Sequence, residues 1–486
     1  MTTIRKAIKP VFVLDELRTW LHRGPKTAHK SQQPITGEKG SRICQLGLPP
    51  NNTKKDPRAF AIFLLCAGAE VEHSLLVQYL YAAYSVNERT DEKENNPVLK
   101  WKTVLRLIAR EEMAHLVTVQ NLLLTLGADL HLNRTPVHRT PSNLPLPYKL
   151  QPLSVESLRK YVLFESPTPD QMNPGEIGAV DEIHAASPGA SVIFRVGSIY
   201  AAIYWLFMKS NKPDGDWPFG PGVERCFTHE YGKEFHLEDS DFVSAEEYRD
   251  RAADPKEWGI FESSTHVDGA WPRETALSSL RWLMSQGEGP NAIEESHFHH
   301  FLRIYEEFID LGSSAKSRIF HVPENPRVRG AKGGGGRGQE VGTLIKNPRS
   351  KLWGELFNAR YQLMLLNILE SLSASRSKNA AKRENLAIWA VAEMDFVKRI
   401  GQLLPFMFLD RSDAKRAGAP FQAVALPTGA IERQRLRNQI RGESGDCIGQ
   451  LVGKMRRNTL DPSTAAQERP LLDAIARQND EMTKVH

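Results

Sequence analysis

The feature that most constrains the fold is a long helical stretch that carries charged side chains on its apolar face. From about Val98 to Gly127, apolar residues recur at spacings of three and four, the period of an α-helix that buries one face. The segment REEMAHL lies in its middle and places Glu112 and His115 on that face. A buried carboxylate beside a buried imidazole needs compensation. A bound metal ion would provide it.

A second long helix is predicted just before this one, from Arg58 to about Val86. It is apolar on nearly every side, which is typical of a helix surrounded by others. One face carries Glu72 and, two turns later, Tyr79, which we predict to hydrogen-bond a metal-ligating carboxylate. Glu70 lies on another face and is a weaker candidate. The short polar link NERTDEKENNP predicts that the two helices form an antiparallel pair.

A late helix in the segment NAIEESHFHHFLRIYEEFIDLG adds a second Glu-x-x-His pattern. Glu294 and His297 precede Phe298 and Phe301 by four residues and therefore share their apolar face. Glu295 with His299 lies on the flank and is the alternative pair. The aromatic residues that define the buried side are Phe298, Phe301, Tyr305 and Phe308.

These residue types favour a particular kind of metal site. Two Glu-x-x-His patterns and an inward carboxylate are the arrangement by which helical bundles bind iron or manganese. Carboxylates and imidazoles suit Fe(II), with Mn less favoured, and thiolates are missing from the pattern. The alternative is a buried ion-pair network, but it would leave the carboxylates in need of cations that these helix faces lack. We therefore predict one or two iron ions.

Several segments together resemble a known family. AEVEHSLLVQYLYAAYSV, REEMAHLVTVQNLLLTLGA, VGSIYAAI and QGEG...EESHFHHFLRI are similar to the ferritin-like domain of the iminophenyl-pyruvate dimer synthase family, which includes enzymes of violacein- and rebeccamycin-type biosynthesis. The resemblance covers about residues 58 to 311. It implies a mainly α fold, a ferritin-like antiparallel four-helix bundle with long loops and additional C-terminal helices. The positions that match the family pattern are Glu72, Tyr79, Glu112, His115, Glu294 and His297.

One ligand that the resemblance implies is not evident. A complete ferritin-like site has a lone carboxylate on its third helix, but the segment SVIFRVGSIYAAIYWLFM offers none. Ser198 stands near the expected position. The sixth ligand is therefore Glu288 in QGEG, Ser198 or water, or it is absent and the site is mononuclear.

The chain divides into three predicted regions. Residues 1–57 form an N-terminal extension with a short helix around Val11 to Leu21, and residues 58–311 form the metal-binding bundle with an irregular insertion at 211–270. Residues 312–486 contain a glycine-rich loop and further helices at about 350–373 and 383–408. Aromatic and glycine residues in DGDWPFGPG, including Trp217 and Phe219, and the segment 331–342 are predicted to select the substrate.

Composition narrows the class of protein further. Of 486 residues, 41% are hydrophobic and 25% are charged, as in an ordinary globular protein. The net charge is only +5 and the basic residues are dispersed, which argues against nucleic-acid binding. Cysteines are few and far apart, which argues against a zinc knuckle or a disulfide scaffold. Glu70, Glu72 and His73 interrupt the most apolar stretch, so we expect no membrane span and a cytoplasmic protein.

The predicted function is that of a non-haem iron-dependent oxidase or oxygenase. It would act on a small molecule, such as one derived from an amino acid, with O2 or peroxide in natural-product biosynthesis. Long loops beyond the bundle favour this interpretation because they offer material for a pocket. The alternative is a non-catalytic metal-binding or iron-handling bundle, or a partner subunit. A homo-oligomer is compatible with either function.

Overall fold

The computed structural model describes residues 56–88, 97–134, 148–167, 171–187, 197–209, 227–254, 257–258, 267–286, 296–329, 342–410, 415–423, 425–456 and 462–484. Within these ranges the chain is mainly helical, which confirms the mainly α fold class. Two strands of two residues each, β1 (Pro326–Arg327) and β2 (Thr343–Leu344), pair in parallel.

The first half of the chain supplies most of the bundle. Its helices are α1 (Pro57–Tyr84), α2 (Pro97–Thr125), α3 (Val155–Phe164), α4 (Pro174–Ala185), α5 (Gly197–Phe207), α6 (Ala245–Arg251), α7 (Arg273–Gln286), α8 (His297–Leu311) and α9 (Ser313–Lys316). Helix α1 packs along α2 and against α5, and α3 packs against α8. These contacts bring α1, α2, α3 and α8 around one interior.

Helix α1 is the central helix of this bundle. Asp56 caps its first turn, where its side chain accepts a hydrogen bond from the Ala59 amide, and Pro57 occupies the first helical position. The helix is long and apolar enough to cross a membrane, but 89% of its most apolar window is buried inside the protein. Burial by neighbouring helices thus accounts for its composition.

In the first half of the chain the structure corrects the predicted helix content in two places, and residues 430–456 and 462–484 also form helices that were not predicted. Helices α3 and α4 lie in a region where no helix was predicted, because α3 has only 10 residues and follows a proline-rich stretch. Reciprocal hydrogen bonds between Ser154 and Ser157 begin α3. The predicted irregular insertion also contains α6, which Ser244 caps and whose acidic first turn and basic last turn suit the helix dipole.

The C-terminal region is a second set of packed helices. They are α10 (Pro348–Ser373), α11 (Arg376–Leu403), α12 (Ala430–Arg456) and α13 (Pro462–Lys484). Helix α10 packs along α11 and α12, and α11 also contacts α1 of the bundle. The proposed domain boundaries at 57 and 311 remain a prediction. The predicted N-terminal helix and nearly all of the glycine-rich segment lie outside the described residues.

Candidate metal centre

Four of the predicted side chains meet inside the bundle. Glu72 comes from α1, Glu112 and His115 from α2, and His297 from the first position of α8. Each is at most 3% exposed. The helical spacing that predicted an inward orientation thus agrees with where the structure places these side chains. Their role as metal ligands remains a proposal.

A fifth side chain, Glu165, completes the cluster and was missed in the sequence. It follows α3 directly as its C-terminal cap residue and is 2% exposed. The lone carboxylate that ferritin-like sites take from their third helix was sought on the segment that forms α5, which carries none. The structure brings in α3 instead, because α3 packs against α8 beside His297.

The five side chains form two overlapping groups. Ligand atoms of Glu72, Glu112 and His115 all lie within 4.8 Å of one another, and so do those of Glu112, Glu165 and His297. Glu112 belongs to both groups. A carboxylate has two oxygens, so Glu112 can face two adjoining metal positions at once. The geometry therefore suits a pair of ions that share one carboxylate.

Distances within the cluster show that both imidazoles present the same ring nitrogen. His115 Nδ1 lies 3.3 Å from Glu112 Oε2 and 3.5 Å from Glu72 Oε2. His297 Nδ1 lies 3.0 Å from Glu112 Oε1 and 3.7 Å from Glu165 Oε2. The two rings are 5.6 Å apart between centroids. Each Nδ1 thus faces two carboxylates.

The outward ring nitrogens have their own partners. His115 Nε2 lies 2.9 Å from Gln286 Oε1, and His297 Nε2 lies 3.1 Å from Glu111 Oε2. Because amide and carboxylate oxygens accept hydrogen bonds, both Nε2 atoms are donors. This arrangement leaves the Nδ1 lone pairs directed at the cluster, as metal-binding histidines require.

Two tyrosines orient the carboxylates from outside. Tyr79 donates a hydrogen bond to Glu165 Oε1, and Tyr200 donates one to Glu72 Oε1. Tyr79 was predicted to hydrogen-bond a metal-ligating carboxylate, and its observed partner is the buried Glu165. The role of Glu165 as a ligand remains a proposal. In each carboxylate the other oxygen, Oε2, is the one that faces a histidine of the cluster.

The chemistry of the cluster fits a divalent cation. Glu112 Oε1 and His297 Nδ1 lie side by side, yet neither forms a hydrogen bond with any residue that the structure describes. Within the same ranges no Lys or Arg pairs with Glu72, Glu112 or Glu165. Buried ligand atoms without partners are costly in a protein. A metal ion between them would remove that cost.

The pKa shifts indicate which side chains of the cluster would hold protons when no metal ion is bound. Burial, with repulsion from Glu112, raises the pKa of Glu72 to about 8. Burial alone would lower the pKa of His115, but hydrogen bonds with Glu112 and Glu72 raise it to about 10. Burial by itself would raise the pKa of Glu112. The charge of His297 and the hydrogen bonds with His115 and His297 have a larger effect and hold this pKa well below its usual value. Metal binding would therefore displace protons.

Other candidates lie elsewhere or outside the described residues. Glu70 pairs with His131 at 3.1 Å, and His299 pairs with Glu176 at 3.1 Å. Ser198 is buried on α5 but belongs to neither group of possible ligands. The candidates that fall outside the described residues are Glu288, Glu294 and Glu295.

A sequence signal for Glu165 existed. In VESLRKYVLFE, Leu158, Tyr161, Val162 and Glu165 follow spacings of three and four, which places the carboxylate on the apolar face of a short helix. Glu111, Gln286 and Tyr200 carried no comparable signal, because their roles depend on contacts with distant helices.

Comparison with known proteins agrees with this architecture. Residues 65–306 match the ferritin-like family model. The chain is 24% identical over 361 residues to dichlorochromopyrrolate synthase of Lentzea aerocolonigenes, a match that covers 66% of this chain and 32% of that protein. It is 25% identical over 378 residues to 2-imino-3-(indol-3-yl)propanoate dimerase of Chromobacterium violaceum, which covers 70% of this chain and 32% of that protein. No solved structure matches the chain.

These findings support a ferritin-like class. Residues 65–306 form a ferritin-like domain. The synthase and the dimerase belong to the iminophenyl-pyruvate dimer synthase family that the motifs resemble, and this chain is weakly similar to both. The matched region spans about a third of the length of these two relatives.

Proposed function

We propose that the protein is a non-haem iron-dependent oxidase or oxygenase that acts on a small, amino-acid-derived molecule in natural-product biosynthesis. Glu72, Glu112, His115, Glu165 and His297 would hold one or two iron ions, and Glu294 would complete the second Glu-x-x-His pattern. The observation that carries the proposal is the pair of buried ligand groups that share Glu112 and pair with no lysine or arginine among the described residues.

Iron is proposed because the ligands are carboxylates and imidazoles, with Mn as the less favoured metal. When bound, iron would supply the electron-transfer and oxygen chemistry that amino-acid side chains lack. The chain's own contribution is positional. Gln286 and Glu111 hold the two imidazoles, Tyr200 and Tyr79 hold two carboxylates, and burial keeps bulk water out.

The substrate class follows from the relatives and not from the cluster. The dimerase is named for an imine of an indole-bearing acid, and both relatives are biosynthetic enzymes. A small amino-acid-derived substrate, with O2 or peroxide as co-substrate, is consistent with that similarity. We expect the loops at 211–270 and 331–342 to select it. We also expect a cytoplasmic protein, and a homo-oligomer is compatible with this function.

One observation favours the alternative of an iron-handling bundle without turnover. The cavity at the cluster has a volume of only about 20 Å³ and is lined by the ligand side chains themselves together with Leu75, Met284 and their neighbours. This volume accommodates about one water molecule. A larger substrate needs space that the described residues do not leave beside the ligands.

Oxygen uptake separates the two functions. Protein purified without chelator would be analysed for iron, and O2 consumption would be followed with amino-acid-derived imines as candidate substrates. Substrate-dependent uptake supports the enzyme, whereas bound iron without it supports the iron-handling bundle. Protein that binds neither iron nor manganese would contradict both.

Matched variants on one helix test the cluster itself. Glu165→Gln should lower the iron content and substrate-dependent uptake, because an amide is a weaker ligand than a carboxylate. Glu156→Gln changes an exposed carboxylate of the same helix and should leave both unchanged. Equal iron content in the two variants would exclude Glu165 from the site.

A further inference from the structure

A second, much larger cavity lies between the bundle and the C-terminal helices. Its volume is about 610 Å³, and its walls come from α1, α2, α10 and α11. This volume is within the range of about 300–1,000 Å³ typical of small-molecule sites. No residue lines both this cavity and the small one at the metal cluster. The two are therefore separate sites, although they share helices α1 and α2.

The body of the cavity is aliphatic. Its lining includes three methionines, which adapt their shape to flexible ligands, and branched residues from three helices. Aromatic rings are fewer and lie together on one side. The aliphatic residues that matter for the argument are Leu76, Leu80, Met113, Met364, Val391 and Met394.

The lining includes a buried tyrosine hydroxyl that has no hydrogen-bond partner among the described residues. The Tyr84 side chain is 2% exposed, and its hydroxyl forms no hydrogen bond with any residue that the structure describes. A buried hydroxyl without a partner is costly and uncommon. Since Tyr84 lines the cavity, a ligand acceptor atom would satisfy its hydroxyl.

Charged side chains also line this cavity. Arg106 is a cation whose charge opposes the effect of burial on the pKa of Tyr84, whereas the anion Asp395 adds to that effect. Within the described ranges Arg106 has no ion pair. By contrast, Lys398 at the same cavity already pairs with Asp395 at 2.6 Å. The cavity thus combines a hydroxyl donor with Arg106, a cation that has no ion pair among the described residues.

The position of Tyr84 depends on its neighbours. A Cβ atom at position 401 would lie 2.3 Å from Tyr84 Cε2, so only glycine lets the ring lie there. On its other side the ring stacks on Phe421, with centroids 6.4 Å apart. Phe421 has a φ of 45°, a costly conformation for a bulky residue that often marks functional sites. Its carbonyl accepts a hydrogen bond from Arg134.

We propose that this cavity binds a medium-chain aliphatic monocarboxylate. The alkyl chain would contact the methionine and leucine side chains, and the carboxylate would accept a hydrogen bond from Tyr84 and face Arg106. An acid is favoured over a neutral amphiphile because the lining offers both a hydrogen-bond donor and a cation that has no ion pair among the described residues. This site is independent of the proposed function, since its ligand contacts none of the metal-cluster residues.

Calorimetric titration of the full-length protein with decanoate tests the proposal. Wild-type protein should bind decanoate at one site and bind decanamide at least tenfold more weakly. Tyr84→Phe should weaken decanoate binding by roughly tenfold, the effect expected for a hydrogen bond to a charged group, without lowering the unfolding temperature. Arg106→Gln should also weaken it, and Val391→Trp should abolish it by filling the cavity.

Lys100→Gln is the matched control, because it removes an exposed cation from the same helix as Arg106. It should leave the affinity unchanged. The proposal is overturned if decanoate does not bind, if the Tyr84, Arg106 and Val391 variants bind it as wild type does, or if decanamide binds equally well. Tighter binding of 2-naphthoate than of decanoate would also overturn it, because the ligand would then be aromatic. Binding is measured without turnover, so an inactive metal centre does not affect the result.

Discussion

The bundle and the C-terminal helices both bury carboxylates, but they neutralise them differently. In the C-terminal region Glu393 pairs with Arg360 at 3.1 Å, and both side chains are fully buried. Glu370 pairs with Arg437 at 2.9 Å, and Glu468 pairs with Arg349. In the bundle, the described residues that Glu72, Glu112 and Glu165 face are histidines, tyrosines and one another, with no lysine or arginine.

The difference separates a structural network from a candidate ligand set. A permanent guanidinium occupies the space beside a carboxylate and leaves no room for an ion, so the pair holds helices together. Histidine is a neutral ligand once it loses its proton, and it presents a lone pair to a cation. The arginine partners therefore indicate that the C-terminal carboxylates are structural, whereas the bundle carboxylates are available to metal.

The largest expected effect is loss of metal from Glu112→Ala. Because Glu112 belongs to both ligand groups, its removal should reduce bound iron to near the background of metal-free protein, measured by elemental analysis after gel filtration. The C-terminal network should be intact, so the circular dichroism spectrum should remain helical. Normal iron content in this variant would mean that the bundle carboxylates, like those of the C-terminal region, do not bind the metal.

The converse change is Arg360→Leu. It leaves Glu393 buried without its cation, and breaking a buried pair in this way costs about 3–5 kcal/mol. Denaturant unfolding should show this loss while iron content per folded protein is unchanged. The double variant Arg360→Leu with Glu393→Leu should recover much of the stability, since an apolar pair leaves no uncompensated charge. A double variant as unstable as the single one would contradict a pairwise structural role.

A smaller effect is expected from pH in the metal-free protein. The pKa of Glu72 is raised from 4.5 to about 8 and that of His115 from 6.5 to about 10. In both cases the folded state retains a proton that the unfolded state has released, so stability should fall as pH rises through these windows. The pKa of Glu393 is raised only to about 7, through burial. Between pH 7 and 8 the decline should therefore come from the cluster.

Glu72→Gln isolates that contribution, because glutamine resembles the protonated acid and does not titrate. Thermal unfolding of the variant should show a shallower decline between pH 7 and 8 than the wild-type protein. Iron affinity in the wild type should change in the opposite direction and increase with pH, since binding displaces protons. An identical decline in both proteins would show that Glu72 does not retain its proton.

The smallest effect is expected for Tyr79→Phe. This change removes the hydroxyl that donates to Glu165 and keeps the aromatic packing against Tyr161 and Phe301. Loss of such a supporting hydrogen bond typically weakens metal affinity by about 10–100-fold. Competition with a chromophoric chelator would measure it. Tyr161→Phe, whose hydroxyl donates to the Gln78 carbonyl 3.2 Å away, is the control and should bind metal normally.

Helical periodicity in the sequence predicted much of the ferritin-like half. Long amphipathic or fully apolar helices bury a definite face, so Glu72, Glu112, His115 and His297 could be assigned inward from spacing alone. Glu165 was harder to predict as an inward residue, because the helix before it has 10 residues and follows prolines. A periodic pattern this short often arises by chance. The third carboxylate of the cluster therefore comes from the end of α3 and not from the segment that forms α5.

What the sequence determined by itself is therefore the helical class and the inward orientation of four ligand candidates, because both follow from a period repeated over many residues. Only the tertiary structure decided that Gln286 and Glu111 hold the imidazoles and that Glu165 joins the cluster. The same is true of the larger cavity, where Tyr84 meets Gly401 and Phe421. These contacts join residues far apart in the chain, and no local pattern encodes which distant side chains become neighbours when helices pack.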